Sequence, residues 1–208
     1  MTELSLAANS AASCPQPADS AAPTVDAPRL APIDTPKGLI LRLVYRASEK
    51  RYGRTPTAFR VLYARVPALL LVTLALALVL ERFLRLPAQT RALVQFVVAK
   101  GHGCEFCADL SLAEALRAKL GDEKFRHFEA FETHPAFDDA ERAAIAYARA
   151  LTEDRRVPHH VFERLRRHFT EREVVEIVWL GGFESYFNAM AIPLRIGSDR
   201  LAALARQT

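Results

Sequence analysis

Residues 91–117 read RALVQFVVAKGHGCEFCADLSLAEALR, and this stretch decides the fold class. Leu93, Val94, Val97 and Val98 follow a helical spacing up to Lys100, behind Leu86–Pro87, where a proline suits the first helical position. Gly101-His102-Gly103 then stops that helix. A second helix opens at Cys104 and carries Leu110, Leu112 and Leu116 to Leu120, with Gly121 as its expected C-cap. The expectation is a tight helical hairpin with Cys104 and Cys107 at the start of its second arm.

The same grammar extends in both directions. Leu39 to Tyr52 reads as a short amphipathic helix, broken by Gly53-Arg54-Thr55-Pro56. Val66 to Leu80 is strongly apolar, but it is shorter than the ~18 residues a membrane span needs and is closed by Glu81 and Arg82, so the expectation is a buried core helix. Asp138 to Glu141 forms a capping box ahead of a helix through Leu151. Val161 to Phe169 is another short helix. Thr170 to Glu173 is a second capping box, and its helix runs to about Ile192–Pro193 with Trp179 in the core or at an interface. No segment alternates as a strand does. The prediction is an all-α domain over residues 37–208, preceded by a tail over 1–36 rich in Ala, Pro and Ser that lacks the apolar surface to order itself.

Composition narrows the function. The chain has 208 residues, half of them hydrophobic, with a formal net charge of +4, enough for one sizeable core. Positive charge is concentrated between Lys37 and Arg65, where Glu49 is the only acid. Such a run reads as a solvated helix face, or as a contact for an acidic partner or membrane surface. No zinc-finger spacing or aromatic platform points to nucleic acid. Cys14, Cys104 and Cys107 are too few and too uneven for a secreted disulfide scaffold, and no signal peptide is evident, so the expected compartment is the reducing cytoplasm.

Cys104-Glu-Phe-Cys107 is the constellation with the clearest chemistry. Two intervening residues at a helix start bring both sulfurs within reach of one disulfide. The unpaired N–H groups there favour a thiolate, and more so at Cys104, nearest the helix end. A thiolate attacks a peroxide and its neighbour resolves the product as a disulfide. The same pair also fits two buried inert cysteines, or half of a zinc site. His102, His127, His134, His159, His160 and His168 supply no second pair at matching spacing, so neither metal nor cofactor is expected.

The hairpin at 91–117 resembles the signature of the alkyl hydroperoxidase D / carboxymuconolactone decarboxylase family, in which a short polar turn precedes Gly-Cys-x-x-Cys. Glu141-Arg-Ala-Ala-Ile-Ala-Tyr-Ala-Arg-Ala-Leu151, Phe187-Asn188 and Ile196-Gly197-Ser198 are similar to it as well. The resemblance spans about Lys37 to Leu204. It implies an AhpD-like helical bundle, assembly as trimers or hexamers, and a peroxiredoxin-like peroxidase activity on a small hydroperoxide. By the family pattern Cys107 attacks, Cys104 closes the disulfide, and an external dithiol reduces it.

The sequence departs from that pattern at the proton relay. Alanine (Ala92) replaces the family glutamate twelve residues before the first cysteine, Ser111 replaces the histidine four after the second, and Phe106 occupies the position just before Cys107. Substitutes for the missing base are His102, Glu105, Asp109 and, from the later helix, Glu184; Ser111 is a poor one. Two other readings stay open: a cofactor-free decarboxylase acting on a lactone acid, with His102 and an arginine, and a non-catalytic binding module using the basic segment.

Overall fold

The computed structural model describes residues 27–154 and 156–207; most of the expected tail, Cys14 included, lies outside them. Among the described residues every regular element is helical. In chain order they are α1 (Leu39–Tyr52), a π-helical turn (Phe59–Tyr63), α2 (Pro67–Arg82), α3 (Ala88–Gly101), α4 (Glu105–Arg117), α5 (Glu123–Arg126), a 3-10 turn (Phe128–Ala130), α6 (Asp139–Asp154), α7 (His159–His168), α8 (Glu171–Ala191) and α9 (Leu201–Ala205).

Helix α3 is the axis of the bundle. It packs on α4, α6 and α8, and Leu93, Val94, Val97, Val98 and Ala99 are shut off from solvent. Burying each such aliphatic side chain contributes about 1.5–3 kcal/mol before chain entropy is subtracted. Its entry is fixed by Glu176 of α8, whose Oε2 accepts the N–H groups of Arg85 (2.8 Å) and Leu86 (3.0 Å). These are donors at a helix start that would otherwise go unmet. Both expected capping boxes form: Asp138 and Glu141 exchange bonds ahead of α6, and Thr170 and Glu173 do so at α8. Helix α4 ends earlier than expected, at Arg117, with Lys119 and Gly121 both left-handed beyond it.

Two expectations change. The apolar run at 66–80 is not a core helix in the single chain. Among the described side chains of α2 only Leu70 is buried, while Leu71, Val72, Leu74 and Leu78 are exposed, Leu71 at 63%. No described helix is long and apolar enough to cross a membrane. Residues 27–36, assigned by composition to the tail, lie against the bundle. Arg29 N–H donates to Leu194 O (2.9 Å) and Ile33 N–H to Arg60 O (3.0 Å), and Tyr45 Oη–H donates to Ile33 O (2.9 Å). The basic segment stays on the surface, as a solvated face predicts, with Lys37, Arg42, Arg46 and Lys50 exposed; Arg51 pairs with Glu114, Arg60 with Asp34 and Arg54 with Asp199, and Arg65 donates to the carbonyls of Val61 and Ala31.

Candidate active site

The site begins where α3 ends. Gly103 adopts φ +72°, a left-handed conformation that glycine enters without penalty. Gly103 N–H donates to Lys100 O (3.0 Å) and Cys104 N–H to Ala99 O (2.8 Å). That bond pair is a Schellman motif, and it hands the chain directly to Cys104, the N-cap of α4. The glycine-rich turn thus closes one helix and sets the first cysteine at the mouth of the next.

Both thiols are free and buried. Their sulfurs lie 2.6 Å apart, so small side-chain rotations bring them to the ~2 Å of a disulfide bond. The proton between them is unevenly held. The sulfur–sulfur contact lowers the Cys104 pKa, and the Cys107 backbone N–H favours the same thiolate. The same contact and burial raise the Cys107 pKa. The helix-end argument from sequence therefore names the more acidic sulfur as the structure does.

Glu184 is the carboxyl at this pair. It projects from α8 at 4% exposure, and burial pushes its pKa up to about 7. Hydrogen bonds with Asn188, Cys107 and Gln95 oppose that rise by favouring the carboxylate. Asn188, one turn along α8, donates Nδ2–H to Glu184 Oε1 at 2.8 Å. Tyr63 of the π-helical turn is buried nearby. Its hydroxyl meets Thr73 Oγ1 at 2.9 Å, and burial raises its pKa, with smaller contributions from Tyr186 and Cys107.

The remaining residues expected from sequence separate. His102 is half-buried, with Nε2 3.2 Å from Ser185 Oγ, beside Glu184 in the chain. Glu105 is exposed. Asp109 is engaged elsewhere: it accepts the N–H groups of Leu201 (2.8 Å) and Ala202 (2.9 Å) and the Ser198 hydroxyl (3.0 Å), which caps α9. Ser111 is half-buried one turn past Cys107, and Ala92 and Phe106 pack in the core. Among the described residues, no group of three His, Cys, Asp or Glu could hold a metal. Sequence reasoning missed Gln95 and Asn188. The available signal for Asn188 was its spacing, i+4 from Glu184 on an otherwise apolar helix face.

Residues 67–150 match the Carboxymuconolactone decarboxylase family. The uncharacterized protein YnjA of Escherichia coli is 27% identical over 161 residues, covering 74% of this chain and 88% of YnjA. The debrominase Bmp8, solved as a cysteine-to-alanine variant with 2,3,4-tribromopyrrole, superposes with a TM-score of 0.73 at 19% identity, covering 85% of this chain and 94% of its own. An uncharacterized peroxidase-related protein from Ralstonia eutropha, described as an alkylhydroperoxidase AhpD core, gives a TM-score of 0.68 at 18% identity, over 80% of this chain and 90% of that one.

Proposed function

We propose that this chain, whose residues 67–150 match the Carboxymuconolactone decarboxylase family, is a member of that family in its AhpD-like form and a thiol-dependent peroxidase working through Cys104 and Cys107. The observation that carries the reading is one arrangement: two buried sulfurs in contact, with a carboxyl of pKa about 7 hydrogen-bonded to the second.

The reaction runs in two steps. Cys107 attacks the terminal oxygen of a small hydroperoxide, its S–H proton passing to the Glu184 carboxylate. The O–O bond breaks, and Glu184 returns the proton to the departing alkoxide. The products are a Cys107 sulfenic acid and an alcohol. Cys104, already the more acidic sulfur, attacks the Cys107 sulfur, and hydroxide leaves as water with a proton from the pair. Two thiols and one hydroperoxide have become a disulfide, an alcohol and water. An external dithiol then reduces the disulfide by exchange, which suits a reducing compartment such as the cytoplasm. Glu184 fills the role left open by Ala92 and Ser111, because a group with a pKa near ambient pH both takes and gives a proton readily. His102, hydrogen-bonded to Ser185, links the neighbourhood of Glu184 to the half-exposed turn.

We propose further that the protein assembles with copies of itself through α2, whose exposed leucines otherwise leave an apolar ridge in water. The resemblance of the hairpin at 91–117 implies assembly as trimers or hexamers as well.

The test is a thiol count on reduced protein carrying Cys14→Ser, before and after one equivalent of hydroperoxide. The expected result is loss of both thiols with a Cys104–Cys107 disulfide. Cys104→Ser is expected to stop at a trappable sulfenic acid, and Cys107→Ser to consume no peroxide. Two thiols that persist in excess peroxide at neutral pH refute the proposal.

A further inference from the structure

Among the described residues Asn188 is the most completely buried of the polar and charged side chains, at 1% exposure, and half of its amide is unused. Nδ2–H is committed to Glu184 Oε1, and the amide also favours the neighbouring Cys107 thiolate. The carbonyl Oδ1 is buried without a hydrogen-bond partner. A buried carbonyl left unmet costs about 1–3 kcal/mol, so its position beside a proton-accepting carboxyl calls for a role. An amide has one property no other uncharged side chain shares: turned over, it exchanges a donor for an acceptor in the same place.

We propose that Asn188 is the positioning residue that serves both protonation states of Glu184 during the thiol cycle. Its NH2 holds the carboxylate ready for the Cys107 proton. Once Glu184 is protonated, the amide turns over and its carbonyl accepts the carboxyl O–H until that proton leaves. Because Oδ1 has no bond to break, the turn gives up only the amide's N–H contacts, the one to Glu184 that protonation has already weakened and the one to Cys107. The proposal rests on the thiol-peroxidase reading for the cycle, but the relation of Asn188 to Glu184 is measurable without it.

Other groups around Glu184 do not duplicate this service. From α4 come Cys104 and Cys107, with Glu105 exposed and Asp109 engaged at α9. Gln95 of α3 contributes a second bond that favours the carboxylate. His102 at the end of α3 is bonded to Ser185. From the π-helical turn, Tyr63 is held by Thr73. Among the described side chains, helix α6 carries two buried ionisable groups, Tyr147 and the Lys124-paired Glu141, and α7 carries none.

The experiment has two arms. In the first, the infrared carboxylic-acid carbonyl band of Glu184 is titrated in protein with Cys104 and Cys107 both changed to serine, with Asn188 present and as Asn188→Leu. In the second, the pH profile of hydroperoxide-driven thiol loss is recorded with the cysteines intact. Because the bond to the charged carboxylate is the stronger of the two, loss of Asn188 is expected to move the Glu184 midpoint up by about one pH unit, to shift the carbonyl band of the protonated acid, and to carry the thiol-loss profile up with it. An unchanged midpoint or an unchanged acid band overturns the proposal, as does a shifted midpoint with an unshifted profile. If the parent consumes no peroxide at all, the peroxidase reading fails and the midpoint alone decides the assignment of Asn188. Should Asn188→Leu not fold, Asn188→Ala removes the same donor with a smaller side chain.

Discussion

Asn188 donates to Glu184 Oε1 over 2.8 Å, one helical turn apart on the buried face of α8. The bond keeps a carboxyl group in the interior where burial alone would drive it towards its neutral form. It also ties the proton acceptor to the same rigid helix that covers the cysteine pair, so the site is assembled by packing α8 on α3 and α4.

Glu184 makes stability depend on pH. Its folded pKa, about 7, lies above the ordinary value of 4.5, so the folded state holds the proton more tightly. The contribution to stability is full below the unfolded pKa and is lost as pH rises through about 7. Glu184→Gln is therefore expected to unfold at the same temperature as the parent near pH 4. Near pH 8 it is expected to be more stable, by about 2–3 kcal/mol, while losing most thiol reactivity towards peroxide. Thermal unfolding at the two pH values checks this; equal stability near pH 8 refutes the raised carboxyl.

Asp109 is bound to the N–H groups that open α9. Asp109→Ala is expected to lower stability by about 1–2 kcal/mol, read in urea unfolding, with the rate of thiol loss to hydroperoxide kept within about twofold. A collapse in that rate without a change in stability would return Asp109 to the proton relay.

Gly101 sits where α3 crosses α6. A Cβ added there would stand 2.8 Å from Thr152 Cβ, closer than two carbons can pack. Gly101→Ala is expected to cost about 1–3 kcal/mol of stability and, three residues before Cys104, to disturb closure of the disulfide. Denaturant midpoints and the rate of disulfide formation measure the two effects; a variant as stable as the parent would mean that the helices separate freely.

The α2 ridge gives a test of assembly. Leu74→Glu with Leu78→Glu places two charges on side chains that are 52% and 54% exposed in the single chain, so the fold of the chain should be kept. The expected outcome is loss of the oligomer in sedimentation with unchanged helical content. A parent that sediments as a monomer refutes the assembly.

Much of this protein was legible from local rules. The Gly-x-Gly stop, the two capping boxes and the Cys-x-x-Cys spacing depend on residues within a turn or two of one another, and each stands where the sequence places it. The more acidic sulfur is the one nearest the helix mouth, although the contact with Cys107 is the larger cause. The environment of a whole helix is not local. Val66–Leu80 has the composition of a core helix, yet whether apolar surface is buried depends on what the rest of the chain brings to cover it, and α3 takes the central position instead. In the basic run between Lys37 and Arg65, the acids that meet Arg51, Arg60 and Arg54 are Glu114, Asp34 and Asp199 from other segments, which no local rule names.

The sequence by itself determined an all-helical fold with two thiols held at one helix start, because helix signals and short spacings are written within a few residues. Only the tertiary structure decided which polar groups stand near those thiols. It drew Asp109 away to cap α9, left Glu105 in solvent, and brought Glu184 and Asn188 across from a helix some eighty residues later. The energy of burying α8 against α3 and α4 selects those neighbours, and that energy belongs to the packed interface.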